Sequence, residues 1–135
     1  PEIGEGWFVE PTIFTGVKNN MRIAQEEVFG PVLSIIPFKD DEEAVSIGND
    51  VIYGLAAGVW TQNIGRAISM AGKLEAGTVW VNTYRAVSYR SPFGGYKKSG
   101  IGRESGQEMI KEYLQHKSVW IETSNAEAPN PCVLR

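Results

Sequence analysis

Three apolar runs constrain this chain more than any other feature: VLSIIPF (residues 32–38), AAGVWT (56–61) and TVWV (78–81). Almost every position in them is apolar or small, the pattern of a strand buried on both faces. Helical patterns separate the runs. Asp40 is placed to accept from the backbone N–H three residues on, and Glu43 to reach back, forming a capping box. The acidic turn Asp41, Glu42, Glu43 complements the positive end of that helix, and Gly48-Asn49 closes it. Asn63 caps a second helix whose apolar residues, Ile64, Ala67, Ile68, Ala71 and Leu74, follow the i, i+3, i+4, i+7 spacing, with Gly77 ending it. Two β–α–β units in series imply parallel strands with right-handed crossovers, hence an α/β layered fold.

The flanks are less regular. Phe8-Val9 and Thr12-Ile13-Phe14 straddle Pro11 and read as an edge strand or an extended arm. Residues 21–25 predict a short helix. After Asn82 the chain is irregular through Gly102. Ser105 to Glu108 forms another capping box, opening a helix that carries Met109, Ile110, Tyr113 and Leu114. Residues 118–123 predict a last strand with Val119 and Ile121 on one face and Trp120 on the other. Two crossover helices cannot cover both faces of such a sheet. The sheet is therefore expected to be completed by further sequence or by a partner chain. A first residue of proline suggests a processed, cut or partial chain.

Size and charge narrow the function classes. At 135 residues the chain is long enough for one domain. A net charge of −3 with interspersed signs argues against a nucleic-acid partner. No apolar run approaches a membrane span, and no secretion signal opens the chain. The single cysteine, Cys132, cannot form an internal disulfide and fits a reducing compartment such as the cytoplasm.

The stretch SPFGGYKKSGIGRE (residues 91–104) invites a phosphate-binding reading. Its Gly100, Gly102 and Gly106 miss the dinucleotide spacing by one residue, and no strand precedes them. Lys98-Ser99 lacks the glycine that a Walker loop places before its lysine. The glycines either let the loop turn sharply and approach other backbone closely, or serve a local function of the loop. Glu26-Glu27 is either a solvated surface or a carboxylate accepting from sugar hydroxyls. Phe29 is either core packing or a flat apolar wall. His116 reads as a cation near a helix C-terminus, and Cys132 has no electropositive setting to make it a nucleophile. No metal-ligand spacing occurs. No nucleophile–base pair is apparent.

Four motifs in order carry a specific resemblance: EEVFGPV (26–32), YGLAAGVWT (53–61), AGTVWVN (76–82) and SPFGGYKKSG (91–100). Together they resemble the C-terminal portion of an NAD(P)-dependent aldehyde dehydrogenase, from about Gly6 to Glu122. The resemblance implies part of a parallel-sheet catalytic domain over residues 1–116. It further implies an oligomerisation strand over 117–124 and a tail over 125–135. In that family a cysteine thiolate attacks the aldehyde, hydride leaves to the nicotinamide, and a glutamate-activated water releases the acid. The nucleophile, the base and the oxyanion-hole asparagine would lie upstream, so the isolated chain is expected to be inactive. Within it, Glu27 matches the glutamate on the nicotinamide-side ribose, Phe29 an aromatic beside the nicotinamide and Leu55 a lining residue of that pocket. Phe93 matches an aromatic of the aldehyde tunnel. The implied cofactor is NAD or NADP, and the implied partners are an aldehyde and further copies of the chain. Arg85 and Val87 depart from the acidic residue and aromatic that some members carry there. The rival reading is a non-catalytic assembly or binding module derived from the same fold.

Overall fold

Chain order in the computed structural model, which describes residues 4–125 together with Asn130 and Cys132, alternates short strands and helices. The elements are β1 (Thr12–Phe14), α1 (Arg22–Gln25), β2 (Val32–Ser34), α2 (Asp41–Asn49), β3 (Tyr53–Gly54), β4 (Ala56–Val59), α3 (Ile64–Lys73), β5 (Thr78–Val81), β6 (Tyr96–Lys97) and α4 (Met109–Glu112). β4 and β5 pair in parallel across α3, as the second β–α–β unit predicts. β1 and β2 also pair in parallel, with Thr12 opposite Val32. β3 and β6 pair antiparallel, with Gly54 opposite Tyr96. The fold is α/β, with mixed helices and parallel strands.

Both helix starts follow their local chemistry. The Glu43 N–H donates to Asp40 Oδ1 at 2.9 Å. Glu43 in turn accepts from the Lys39 N–H at 2.7 Å, one residue earlier than a strict capping box. The Arg66 N–H donates to Asn63 Oδ1 at 3.0 Å. The two helices lie together, tied by Arg66–Asp41 at 2.8 Å and by Lys73–Glu42. These ties are exposed and add little each. At the far end of the β4–β5 pair, Asn82 adopts a left-handed φ of 53°. Its side chain accepts from the Thr61 N–H and donates to the Thr61 carbonyl, both at 2.8 Å.

Several expectations are corrected. The run at 32–38 forms a strand only over Val32–Ser34, and that strand pairs with β1 instead of β4. The two β–α–β units therefore do not join in one sheet. Burial in this run is one-sided, with Val32, Ser34 and Ile36 half-buried while Leu33 and Ile35 are exposed. Two-sided burial needs a second covering layer, and none lies over that face among the described residues. α3 ends at Lys73, because the Leu74 φ/ψ is already extended, well before Gly77. Ser105 does not cap a helix. It and Gly106 take left-handed φ values of 63° and 66°, and the Gly106 N–H turns back to the Tyr89 carbonyl at 2.9 Å. The last helix shrinks to α4, and His116 falls beyond its end. Residues 118–123 pair with no strand among the described residues, since a ladder needs a neighbour and the chain brings none alongside. Most of the tail expected at 125–135 lies outside the described residues.

Little of the molecule is sealed from water. Val17, Val59 and Ala67 are its only buried apolar side chains among the described residues. The surface of 11991 Å² exceeds by about 5,000 Å² the roughly 7,000 Å² expected of a folded 14.9 kDa monomer. The incomplete sheet anticipated from the helix count is therefore present as open apolar faces. No helix among the described residues is long and apolar enough to cross a membrane.

Candidate functional site

The segment after α2 turns back through β3 and enters β4, so Leu55 sits between two strands. Glu27 and Leu55 line one cavity of about 190 Å³, with Asn49, Val51, Glu75 and Ser99 among its other walls. Leu55 and Ser99 also line a second cavity of about 410 Å³, which they share with Phe93, Arg103, Glu104 and Glu112. Three of the four residues singled out in the sequence thus meet through Leu55. Phe29 lines neither cavity and is 82% exposed.

The adjacent glutamates differ in their surroundings. Arg22 donates to Glu26 from Nε and Nη2 at 3.0 and 2.8 Å. This bidentate hydrogen bond holds the Glu26 carboxyl below the usual carboxylate range. The Glu27 carboxylate has no hydrogen-bond or ion-pair partner among the described residues. One glutamate is engaged by its own helix, and the other is left open at the cavity.

Phe29 occupies a left-handed backbone, with φ of 58°, directly before Gly30 at 74°. This conformation costs a non-glycine residue about 1–2 kcal/mol. Its ring recovers little of that by burial. Phe29→Gly is therefore expected to stabilise the chain by about 1 kcal/mol in urea unfolding. A loss of stability would show that ring contacts outweigh backbone strain here.

The glycine-rich segment acts by close approach. Gly77 donates its N–H to the Gly54 carbonyl at 3.0 Å, and Gly54 donates its own to Ser99 Oγ at 3.0 Å. A Cβ on Gly77 would run into the Gly94 carbonyl oxygen. Phe93 and Glu104 exchange two backbone hydrogen bonds, both 2.8 Å, that close the loop between them. Inside it, Arg103 Nη1 donates to the Gly95 and Gly102 carbonyls at 3.0 and 2.7 Å. The guanidinium also lies 5.5 Å from the Tyr96 ring centre. No phosphate is needed to explain the glycines; they let four backbone segments converge around Leu55.

Asn49, Glu75 and Ser99 were not recognisable from sequence patterns. They reach the cavity from a helix end, the turn between α3 and β5 and a loop, and no local spacing links them. Among the described residues no cluster of three or more metal-ligating side chains occurs. Cys132 is a free, exposed cysteine.

Comparison with known proteins adds the family. The pattern described as "Aldehyde dehydrogenase family" matches residues 1–119. An aldehyde dehydrogenase of Emericella nidulans is 54% identical over 115 residues, which cover 85% of this chain and 23% of the relative. One from Enchytraeus buchholzi is 53% identical over 119 residues, covering 88% and 24% respectively. Among solved structures, an indole-3-acetaldehyde dehydrogenase of P. syringae in complex with NAD+ and IAA superposes with a TM-score of 0.81 at 54% identity, covering 85% of this chain and 23% of that one. A betaine aldehyde dehydrogenase of Staphylococcus aureus in complex with NAD+ gives 0.78 at 50% identity, covering 80% and 22%. This chain spans about a quarter of the length of the relatives it matches. Sequence and fold agree: the chain belongs to the aldehyde dehydrogenase family.

Proposed function

We propose that this chain is the C-terminal portion of an NAD(P)-dependent aldehyde dehydrogenase. In this reading it supplies walls of the nicotinamide and aldehyde sites and performs no turnover alone. The observation that carries the reading is the meeting of Glu27, Leu55 and Phe93 across two adjoining cavities. The family relationship and the order of the four motifs support it.

The residues suit the nicotinamide end of the cofactor. An unpartnered carboxylate is an acceptor only, which matches the donor hydroxyls of a ribose. Leu55 and Ala57 provide an apolar surface in the same cavity, suited to a flat ring. Glu27 would hold the ribose, Leu55 would line the ring, and Phe29, exposed on the neighbouring turn, would close over it. When bound, the nicotinamide accepts the hydride that the aldehyde carbon releases on oxidation. Phe93, in the adjoining cavity, would exclude water from the aldehyde and orient it. Glu27 positions and does not move a proton. The nucleophile and base are assigned to the remainder of the enzyme, the reading also places it in the cytoplasm, and residues 117–124 are assigned to contacts between copies.

Turnover tests this directly. The purified chain, given NAD+ or NADP+ and short aldehydes, is expected to produce no reduced nicotinamide. The longer reading frame that contains it is expected to do so. Turnover by the chain alone, or none by the longer product, overturns the reading.

A further inference from the structure

Lys97 lies outside both cavities, yet every group it holds belongs to one of them. Its Nζ donates to the Asn49 carbonyl at 2.6 Å and to the Val51 carbonyl at 3.2 Å. It also pairs with Glu75 Oε2 at 2.7 Å. Two carbonyls thus accept from the ammonium, and a carboxylate balances its charge. Asn49, Val51 and Glu75 all line the cavity shared by Glu27 and Leu55.

These acceptors come from different segments. Asn49 is the last residue of α2, Val51 follows it, and Glu75 lies in the turn between α3 and β5. A second link joins the same ends. The Asn49 side chain donates to the Lys73 carbonyl and accepts from the Glu75 N–H, both at 2.9 Å. The Glu75 carbonyl in turn presses against Gly54, so closely that a Cβ there would collide with it. The chain of contacts therefore runs from Lys97 through Glu75 to the residue next to Leu55.

The Lys97 side chain is 25% exposed, so its contacts are partly shielded from competing water. Lys97 itself sits at a left-handed φ of 53°, opposite Tyr53 in the β3–β6 pair. That pairing fixes where the side chain starts, and the two carbonyls with the Glu75 carboxylate fix where it ends.

We propose that Lys97 is a positioning residue. Its ammonium ties the ends of α2 and α3 behind the cavity and sets the Leu55 wall against which, on the reading above, the nicotinamide end of the cofactor rests. Methionine at this position would fill similar space and donate nothing, leaving two carbonyls without their donor and a carboxylate without its counter-charge. Arginine would keep the charge, but its planar fork cannot serve both carbonyls and the carboxylate from one point.

Amide hydrogen exchange on the full chain tests the positioning. In Lys97→Met, exchange is expected to quicken about tenfold at the Glu75, Gly77 and Gly54 amides, as loss of one net hydrogen bond implies. The Asn82 and Ala67 amides, held elsewhere, should be unchanged. Glu75→Gln removes only the ion pair and is expected to give the same local pattern at smaller amplitude. In the longer enzyme, Lys97→Met is expected to raise KM for NAD+ about tenfold while kcat stays within about twofold, and Lys97→Arg to restore little of it. Unaltered exchange at Glu75 and Gly77, or acceleration everywhere including Asn82, overturns the inference whatever the cofactor data show. An unchanged KM with faster local exchange also overturns it, provided Glu27→Gln raises KM for NAD+. If Glu27→Gln leaves that KM unchanged, the cofactor reading fails instead, and the exchange pattern alone decides the role of Lys97.

Discussion

Light scattering on the purified chain is expected to show oligomers at micromolar concentration, well above the 14.9 kDa of one chain. The driving force is the excess surface of about 5,000 Å², several times the area of a standard protein–protein interface. Exposed side chains include Phe8, Phe14, Leu33, Trp60, Trp120 and Ile121, residues that rarely stay wet in clusters. Among the described residues β2 and β5 each have one neighbour, so their outer edges offer unpaired backbone groups as well. Binding of a dye specific for apolar surface should be strong, and should fall as the chain associates. A stable monomer at high concentration, with no dye signal, would show that these faces need no cover. That result would remove the main physical support for the larger enzyme proposed above.

Gly77→Ala is expected to destabilise the chain by about 3 kcal/mol, at the upper end of the usual cost of overpacking. The added methyl would meet the Gly94 carbonyl oxygen, with the Gly94 carbonyl carbon only 2.8 Å away. Both obstacles are backbone, so no side chain can swing aside to admit the methyl. Relief requires β5 to separate from the glycine-rich segment, which would also strain the Gly77–Gly54 hydrogen bond. Gly72 provides the internal control. It lies inside α3, with nothing within 4 Å of the point where a methyl would stand, so Gly72→Ala should stabilise by about 0.5–1 kcal/mol. Urea midpoints of the two variants should move in opposite directions. If Gly77→Ala unfolds within about 0.5 kcal/mol of the parent, the close approach is not a constraint.

What could be read in the sequence was what neighbouring residues decide among themselves. Asp40 and Asn63 cap their helices because a short polar side chain needs only the N–H three residues on. The β4–α3–β5 unit was legible because its apolar periods change from strand to helix and back. Ser105 shows the limit of such reasoning. Its spacing to Glu108 suits a cap, but the loop from Tyr89 captures the Gly106 N–H and turns the backbone left-handed. The run at 32–38 misled for a related reason, since its apolar residues report how much surface must be covered and not which strand covers it. Within the candidate site, spacing alone cannot say that Glu27 faces a cavity while Glu26 is held by Arg22. Glu26 stands four residues after Arg22 and is held by it, whereas Glu27 lies one residue further on and lines the cavity. Asn49, Glu75 and Lys97 were hidden because two helix ends and a loop meet only after the helices have packed.

The reciprocal amide contacts of Asn82 with Thr61 have a consequence for how variation is distributed along the chain. They fasten the two parallel strands at the point where the backbone leaves them, so strand register is settled before residue 83. Arg85 and Val87 lie just beyond this fastening, in exposed backbone. The hydrogen bond that ties this segment back to β5, from Trp80 Nε1 to the Ala86 carbonyl at 2.7 Å, uses neither of their side chains. A scaffold built this way can hold its frame constant while the exposed segment beyond it varies.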